Sequence, residues 1–401
     1  MEMKKYKLGD LIDVSRGKSL AGEFYATSGN LVRLTMGNFD YINNCFKQNT
    51  SKDNLFFSGK VEEKFILNAG DIITPLTEQT PGLLGSTARI PESGKYIQSQ
   101  DVALVRCKKD KLDDGFAYYL ISSESVKKQL GAAAQQTKIR HTSPDKIKDC
   151  TVYIPEISIQ KKIGNILSTL DKRIENLRAQ NRVLEQTAKT IYDYTFLQCA
   201  GHQTTYNKTL NRNIPTNWEV KNIFDVFDIK YGFPFSTELF TEEITDKPVV
   251  RIRDILEHTT SAYTTEIVDE KYRLQEGDLV IGMDGNFHMN LWTDNISYLN
   301  QRCVRIRMND NNVTSAQAKF ALAPYIKAKE MTAKGSTVGH LSDKDLKGMF
   351  ILVPDSKTLK NFNAQVLPIF QKQLVNTKQI EALTTQRNTL LPLLMTGQVE
   401  V

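Results

Sequence analysis

Two stretches of this chain place seam residues at a strict alternation of four and three. In the first, Ile163, Leu167, Leu170, Ile174, Leu177, Asn181, Leu184, Ala188, Ile191 and Thr195 keep the step without a slip. Phe362, Val366, Ile369, Gln373, Asn376, Ile380, Leu383, Arg387, Leu390 and Leu394 repeat it. This is the a/d seam of a coiled coil, because a 3.5-residue repeat drifts off one face of an isolated straight helix. Residues 156–196 hold no proline and one glycine, Gly164. Residues 355–395 hold Pro368 and Pro392, and Pro368 is expected to kink the second helix. If the seams face each other, the chain path makes the helices antiparallel. About 41 residues at ~1.5 Å rise then span roughly 60 Å. Two long amphipathic helices packed on separate cores are the plainer alternative.

The rest of the chain is one plan used twice. Pro155 matches Pro354 at a shift of 199, and His141, Ser143 and Lys148 meet His340, Ser342 and Lys347 at the same shift. Gln100 and Arg106 meet Gln301 and Arg307 at 201, and Gly70-Asp71 meets Gly277-Asp278 at 207. Val32-Arg33-Leu34 aligns with Val250-Arg251-Ile252 at 218, and residues 13–17 align with 228–232 at 215. Order is kept while the shift drifts, as in a duplication with loop insertions. Short β-branched runs broken by Gly, Asn, Asp and Thr precede each helix. The expected fold is α/β (α+β). Two similar globules, residues 1–154 and 216–353, are separated by two long antiparallel helices, 155–197 and 354–401, with a linker at 198–215. A pseudo-twofold axis relates the halves, and chain start and chain end lie near each other.

Composition closes several routes. Of the 401 residues, 40% are hydrophobic and 24% charged, which suits soluble domains with real cores. No stretch approaches 18 uninterrupted apolar residues, so no membrane span is expected. The opening Met-Glu-Met-Lys-Lys-Tyr has no apolar core of a secretory signal. Cys45, Cys107, Cys150, Cys199 and Cys303 are far apart and form no C-x-x-C pair, which points to free thiols in a reducing cytoplasm. Net charge is +6, but residues 216–353 alone carry −4. A DNA reader with such a second half needs local basic clusters or help from other subunits.

Catalytic signatures are missing. Gly17-Lys18-Ser19 looks like the end of a phosphate-binding loop, but Ile12 stands where the earlier glycine is needed. There is no His-Glu-x-x-His, no Gly-x-Ser-x-Gly and no Pro-Pro pair. Asp53, Glu62 and Lys64 form a nuclease-like set, a spacing that 46 acids and 52 bases produce by chance. His141 and His340 share a repeat position, but one histidine per globule does not make a metal site.

Several motifs then converge. They are Leu8-Gly9-Asp10-Leu11 with Arg16-Gly17-Lys18-Ser19, Ile214-Pro215-x-x-Trp218, the two Gly-Asp pairs, Ile154-Pro155, and residues 390–399, LLPLLMTGQV. With the repeat and the paired heptads, the chain resembles over essentially its whole length the specificity subunit of Type I restriction–modification systems. The resemblance implies two target-recognition domains, two helical spacers and no catalytic centre. It implies double-stranded DNA as ligand, read as a bipartite asymmetric site. Two methyltransferase subunits and two restriction/translocase subunits are the implied partners. S-adenosylmethionine, ATP and magnesium would act on those partners and no cofactor on this chain. A cytoplasmic location away from membranes follows. Arg33 to Gly70 spans 37 residues but Arg251 to Gly277 only 26, so different half-sites are expected.

Candidate DNA contacts are the strand-end loops named by the repeat. In the first unit these are Arg16, Lys18, Ser19, Arg33, Asn38, Thr77, Gln79, Lys138 and Arg140. In the second they are Lys230, Tyr231, Arg251, Arg253, Asn286, His288, Thr337 and His340. For each, a solvated loop residue is the plain alternative. Arg302, Arg305 and Arg307 suit either a phosphate-facing stripe or an ion-paired sheet face, and Asp254 and Asp284 either accept from cytosine N4 or cap turns. Overlaying the seams antiparallel sets Asn181 against Asn376, where two amides satisfy each other and fix register. In that overlay Leu170 faces Arg387 and Leu184 faces Gln373, whose stems would reach water. Two rivals stand beside this reading: a duplicated coiled-coil scaffold that never meets DNA, slightly favoured by the acidic second half, and a self-sufficient DNA-modifying enzyme.

Overall fold

The computed structural model describes residues 2–79, 82–133, 140–199, 201–285, 287–309, 313–333 and 339–401. It divides into two compact units. Unit 1 is Met1–Arg173 with Thr384–Val401, and unit 2 is Ile174–Leu383.

In unit 1, Lys4–Lys7 pairs antiparallel with Thr151–Ile154, the strand that leads into the first long helix. The main sheet runs Ala88–Arg89, Ile72–Pro75, Val102–Cys107, Ile12–Arg16. Alternate side chains of a strand point to opposite faces. Val14, Ile72 and Val105 therefore join a core with Leu8, Phe116, Ile163 and Leu167. Ile73 and Leu104 join another with Leu34, Phe39 and Tyr96. Asp113 caps the helix Asp114–Ile121 by accepting from Phe116 N at 3.0 Å. Leu394 and Met395 close the first of these cores, so segments from both chain ends share one unit.

Unit 2 repeats the plan. Glu219–Asn222 pairs with Phe350–Val353, and the main sheet runs Phe227–Tyr231, Cys303–Met308, Leu279–Gly282, Met289–Leu291. One helix, Ser315–Ala333, stands where unit 1 has Asp114–Ile121 and Glu124–Ala133. Residues 198–215 carry a hairpin, Thr204–Asn207 with Arg212–Pro215. Trp218 packs on Phe196 and donates its Nε1–H to Asp355 Oδ2 at 3.2 Å, which explains the Ile-Pro-x-x-Trp motif. Asp355 in turn accepts from the Thr358 and Lys357 amides, and these bonds hold its carboxyl below the ordinary value.

The structure moves one repeat alignment by two residues. The turn in which Asn38 Oδ1 accepts from Thr35 N matches the turn in which Asp254 Oδ2 accepts from Arg251 N. Arg33 N donates to Leu55 O as Val249 N donates to Ala262 O. Arg33 is therefore the counterpart of Val249, not Arg251.

The long helices are Ile157–Tyr192, continued by a wide turn Asp193–Leu197, and Ser356–Met395, which runs unbroken through Pro368. In unit 2, Asn376 Nδ2 donates to Asn181 Oδ1 at 2.9 Å, and Gln373 Nε2 donates to Asn181 O at 3.0 Å and Glu185 Oε2 at 3.2 Å. In unit 1, Ile163 and Leu394 share the core. Arg387 does not reach for water: it is 8% exposed. Its Nη1 meets Asp171 Oδ1 at 3.0 Å, and Asp171 Oδ2 accepts from Tyr119 OH at 2.5 Å. The carboxylate beside Leu170 makes the inward rotamer the favoured one.

Candidate nucleic-acid interface

Each main sheet ends in a crossing of three segments held by main-chain bonds. In unit 1, Leu76 N donates to Asp101 O at 2.8 Å and Thr142 N to Leu76 O at 2.9 Å. In unit 2, Met283 N donates to Arg302 O at 2.8 Å and Leu341 N to Met283 O at 2.7 Å. Thr77 pairs with His141, and Asp284 bridges to His340 in the same way. A glycine guards each crossing. A Cβ on Gly17 would overlap Gln98 O and Ser99 O, and one on Gly232 would overlap Asn300 O. Close backbone approach is thus the reason for the Arg16-Gly17 motif.

Ser143 and Ser342 start the helices Pro144–Lys148 and Asp343–Lys347, accepting from Lys146 N and Asp345 N at 3.2 Å each. The Gly-Asp pairs are turn devices. Gly70 and Gly277 both sit at φ +88°. Asp71 accepts from Asn68 N at 2.9 Å and Asp278 from Gln275 N at 2.7 Å. Each aspartate also holds its repeat-matched arginine, Arg106 at 2.6 Å and Arg307 at 2.6 Å.

Two candidate contacts are corrected. Arg33 is 8% exposed, lies over the Tyr25 ring at 3.8 Å and donates to Asn54 O. Asn38 is 2% exposed and closes its own turn, accepting from Thr35 N at 2.9 Å and donating to Lys47 O. Both are held within the fold, and Val249, which stands at the place of Arg33 in unit 2, is buried as well. Others are tied within their unit. Arg140 pairs with the buried Glu78 at 3.0 Å, Tyr231 OH donates to Asp343 at 2.6 Å, and Arg251 Nε meets Asp254 at 3.1 Å. Lys18 and Lys64 share Glu62, at 3.2 and 2.8 Å. Arg16, Ser19, Gln79, Arg253 and His340 are exposed, and Thr77, Lys230 and His288 half-buried. Lys138, Asn286 and Thr337 lie outside the described residues.

The three arginines of the second sheet are ion-paired. Arg305 meets Asp228, Arg307 meets Asp278, and Arg302 Nη1 meets Asp284 Oδ2 at 2.8 Å. Asp284 also accepts from His340 Nδ1 at 2.6 Å. Burial works against ionisation of Asp284, but His340 and Arg302 outweigh it and hold its pKa below the ordinary value. Among the described residues, no group of three or more His, Cys, Asp or Glu could hold a metal ion. No helix among them is long and apolar enough to cross a membrane.

Comparison with known proteins places this geometry. A family model described as the Type I restriction modification DNA specificity domain matches residues 1–186 and 215–386. The MjaIX specificity subunit of Methanocaldococcus jannaschii is 24% identical over 73% of this chain and 71% of its own length. The HindI specificity subunit of Haemophilus influenzae is 20% identical over 99% of this chain and all of its own. A crystal structure of the specificity subunit of a Type I system from M. genitalium matches the fold with a TM-score of 0.60 at 18% identity, covering 98% of this chain and 96% of that one.

Proposed function

The chain belongs to the Type I restriction–modification DNA specificity family, and from that premise we infer how its parts divide the work. It is a DNA sequence-specificity subunit. Residues 1–154 read one half of a bipartite site and residues 216–353 the other, while residues 155–197 and 354–401 set the gap and carry the partners. Two methyltransferase and two restriction subunits dock on it and supply the catalysis. Exposed Arg16, Ser19, Gln79 and Arg253, with the half-buried Lys230 and His288, serve as positioning contacts to phosphate, which orient a reader without specifying sequence.

The observation that carries this reading is the repeated crossing. Its backbone is kept in both units while Thr77 and Asp101 of one give way to Asp284 and Arg302 of the other, as two readers of unlike half-sites require. The test is an exchange of residues 216–353 for the matching segment of another such subunit, followed by sequencing of methylated sites. One half-site should change, and the other half and the gap should stay. A change in both halves would mean that the duplication serves partner docking instead. Purified chain with labelled S-adenosylmethionine and DNA should transfer no methyl group, and transfer by partner-free material would overturn the non-catalytic assignment.

A further inference from the structure

Three positions occupy matching places at the two crossings; one is histidine in both units, and the chemistry of the other two differs. Thr77, Asp101 and His141 stand in unit 1 where Asp284, Arg302 and His340 stand in unit 2. The main-chain bonds that define the crossing use none of these side chains. At Thr77/Asp284 and Asp101/Arg302 the fold is fixed and the chemistry is not.

The unit 2 set is the more ordered. Asp284 accepts from Arg302 with one oxygen and from His340 with the other. The backbone amide of Arg302 donates to Asn300 Oδ1 at 3.1 Å, so its main chain is held as well. Yet Arg302 keeps 63% of its side chain exposed and His340 keeps 55%. Arg302 Nε and Nη2, and His340 Nε2, have no partner among the described residues. Arg305 and Arg307, on the strand that follows, contrast with this: both are sunk into ion pairs and exposed at 3% and 25%.

An arginine with one nitrogen fixed and its Nε–Nη2 edge open is preorganised for two parallel hydrogen bonds. In the major groove, guanine O6 and N7 form the acceptor pair that matches this fork. With its Nδ1–H given to Asp284, His340 leaves Nε2 as an acceptor, suited to a base amine beside that guanine. We propose that Arg302, pinned by Asp284 and flanked by His340, is the base-reading side chain of unit 2 and selects a guanine. Asp101 at the same place in unit 1 is an acceptor and selects a base that donates. This rests on the reading of the chain as a DNA specificity subunit.

The test uses the chain assembled with its partner subunits. Methylated sites are mapped for Arg302→Ala, Arg302→Lys and Asp284→Asn, and a random DNA library is selected by binding where methylation is too weak to map. Arg302→Ala should relax one guanine in the half-site assigned to residues 216–353, with discrimination falling roughly 5- to 150-fold, the range of a two-pronged base contact. Arg302→Lys should relax the same position, because a point charge lacks the fork. Asp284→Asn should relax it less. The other half-site and the gap should not change. An unchanged site in Arg302→Ala overturns the proposal. So does an even loss of affinity over all sequences, with a salt slope shallower by about one and rescue by lysine, since that marks a phosphate contact. Failure of the underlying reading looks different: the wild-type complex would show no bipartite site, or the exchange of residues 216–353 would alter both halves.

Discussion

Removing the guanidinium of Arg387 isolates the polar junction buried in unit 1. Arg387 is 8% exposed and bonds Asp171, whose other oxygen takes the Tyr119 hydroxyl. Arg387→Met keeps the stem and leaves the carboxylate with the phenol alone. Stripping one partner from a buried pair costs about 3–5 kcal/mol. Asp171 keeps 30% of its side chain exposed, so water recovers part of this, and about 2–3 kcal/mol is expected. Unit 2 supplies the control. At the repeat offsets of 199 and 201, Arg387, Asp171 and Tyr119 correspond to Ala188, Phe370 and Phe320, all buried in one apolar core. The triple variant Arg387→Ala, Asp171→Phe, Tyr119→Phe should therefore recover most of the loss, since an apolar set of matching volume can equal a buried ion pair. Hydrogen exchange of the amides in Asp114–Ile121, followed against denaturant, reads the change in unit 1. Trp218 and Trp292 are the chain's only tryptophans and both lie in unit 2, so their emission is an in-sample reference. A cost below about 0.5 kcal/mol for Arg387→Met, or a triple variant weaker than the single one, would refute the junction as an energetic feature.

Gly17→Ala should lower stability by more than about 2 kcal/mol, because the added carbon overlaps two carbonyls of the neighbouring segment; thermal unfolding measures it, and a neutral result would contradict the close approach. Asn376→Leu should cost about 1–2 kcal/mol by leaving Asn181 Oδ1 without its donor, while the double Asn181→Leu, Asn376→Leu variant should recover it; midpoints of denaturation decide. Glu381 is a pH probe. Burial first, then the charge of Asp294, raise its carboxyl from 4.5 to about 7, against the pull of Thr293 and Lys378. The native state favours the protonated acid, so its contribution is intact below pH 4.5 and is lost as pH rises through 7. Glu381→Gln should be more stable than wild type at pH 8 by about 1–2 kcal/mol, allowing for solvent screening, and equal to it near pH 4. An equal difference at both pH values would remove ionisation as the cause.

Periodicity carried the helices because a buried seam constrains every third or fourth residue, and no other part of the chain is constrained so densely. The repeat was legible through residues with backbone duties: Gly17, Gly70, Asp71, Ser143 and their partners. It failed at Val32-Arg33, where two residues of strand gave too little pattern to set register. The site was the harder part. Arg33 and Asn38 have the composition of DNA contacts, and only the fold reveals that a tyrosine face and a turn already hold them. Along the chain Arg302 is merely one of three alternating arginines. Its separation from Arg305 and Arg307 depends on which acid each one meets across the sheet, and no spacing along the chain encodes that.

The core of unit 1 is closed by Leu394 and Met395, residues that follow all of unit 2 in the chain. At roughly 5–20 residues per second of synthesis, more than 200 residues separate Arg173 from that closure, a wait of roughly 10–40 s. Throughout it, the nascent unit leaves Ile163 and Leu167 without their last neighbours and open to chaperones. A ribosome that stops early then releases a reader whose first-half core lacks Leu394 and Met395. Completion of the first-made core thus waits on the last-made segment.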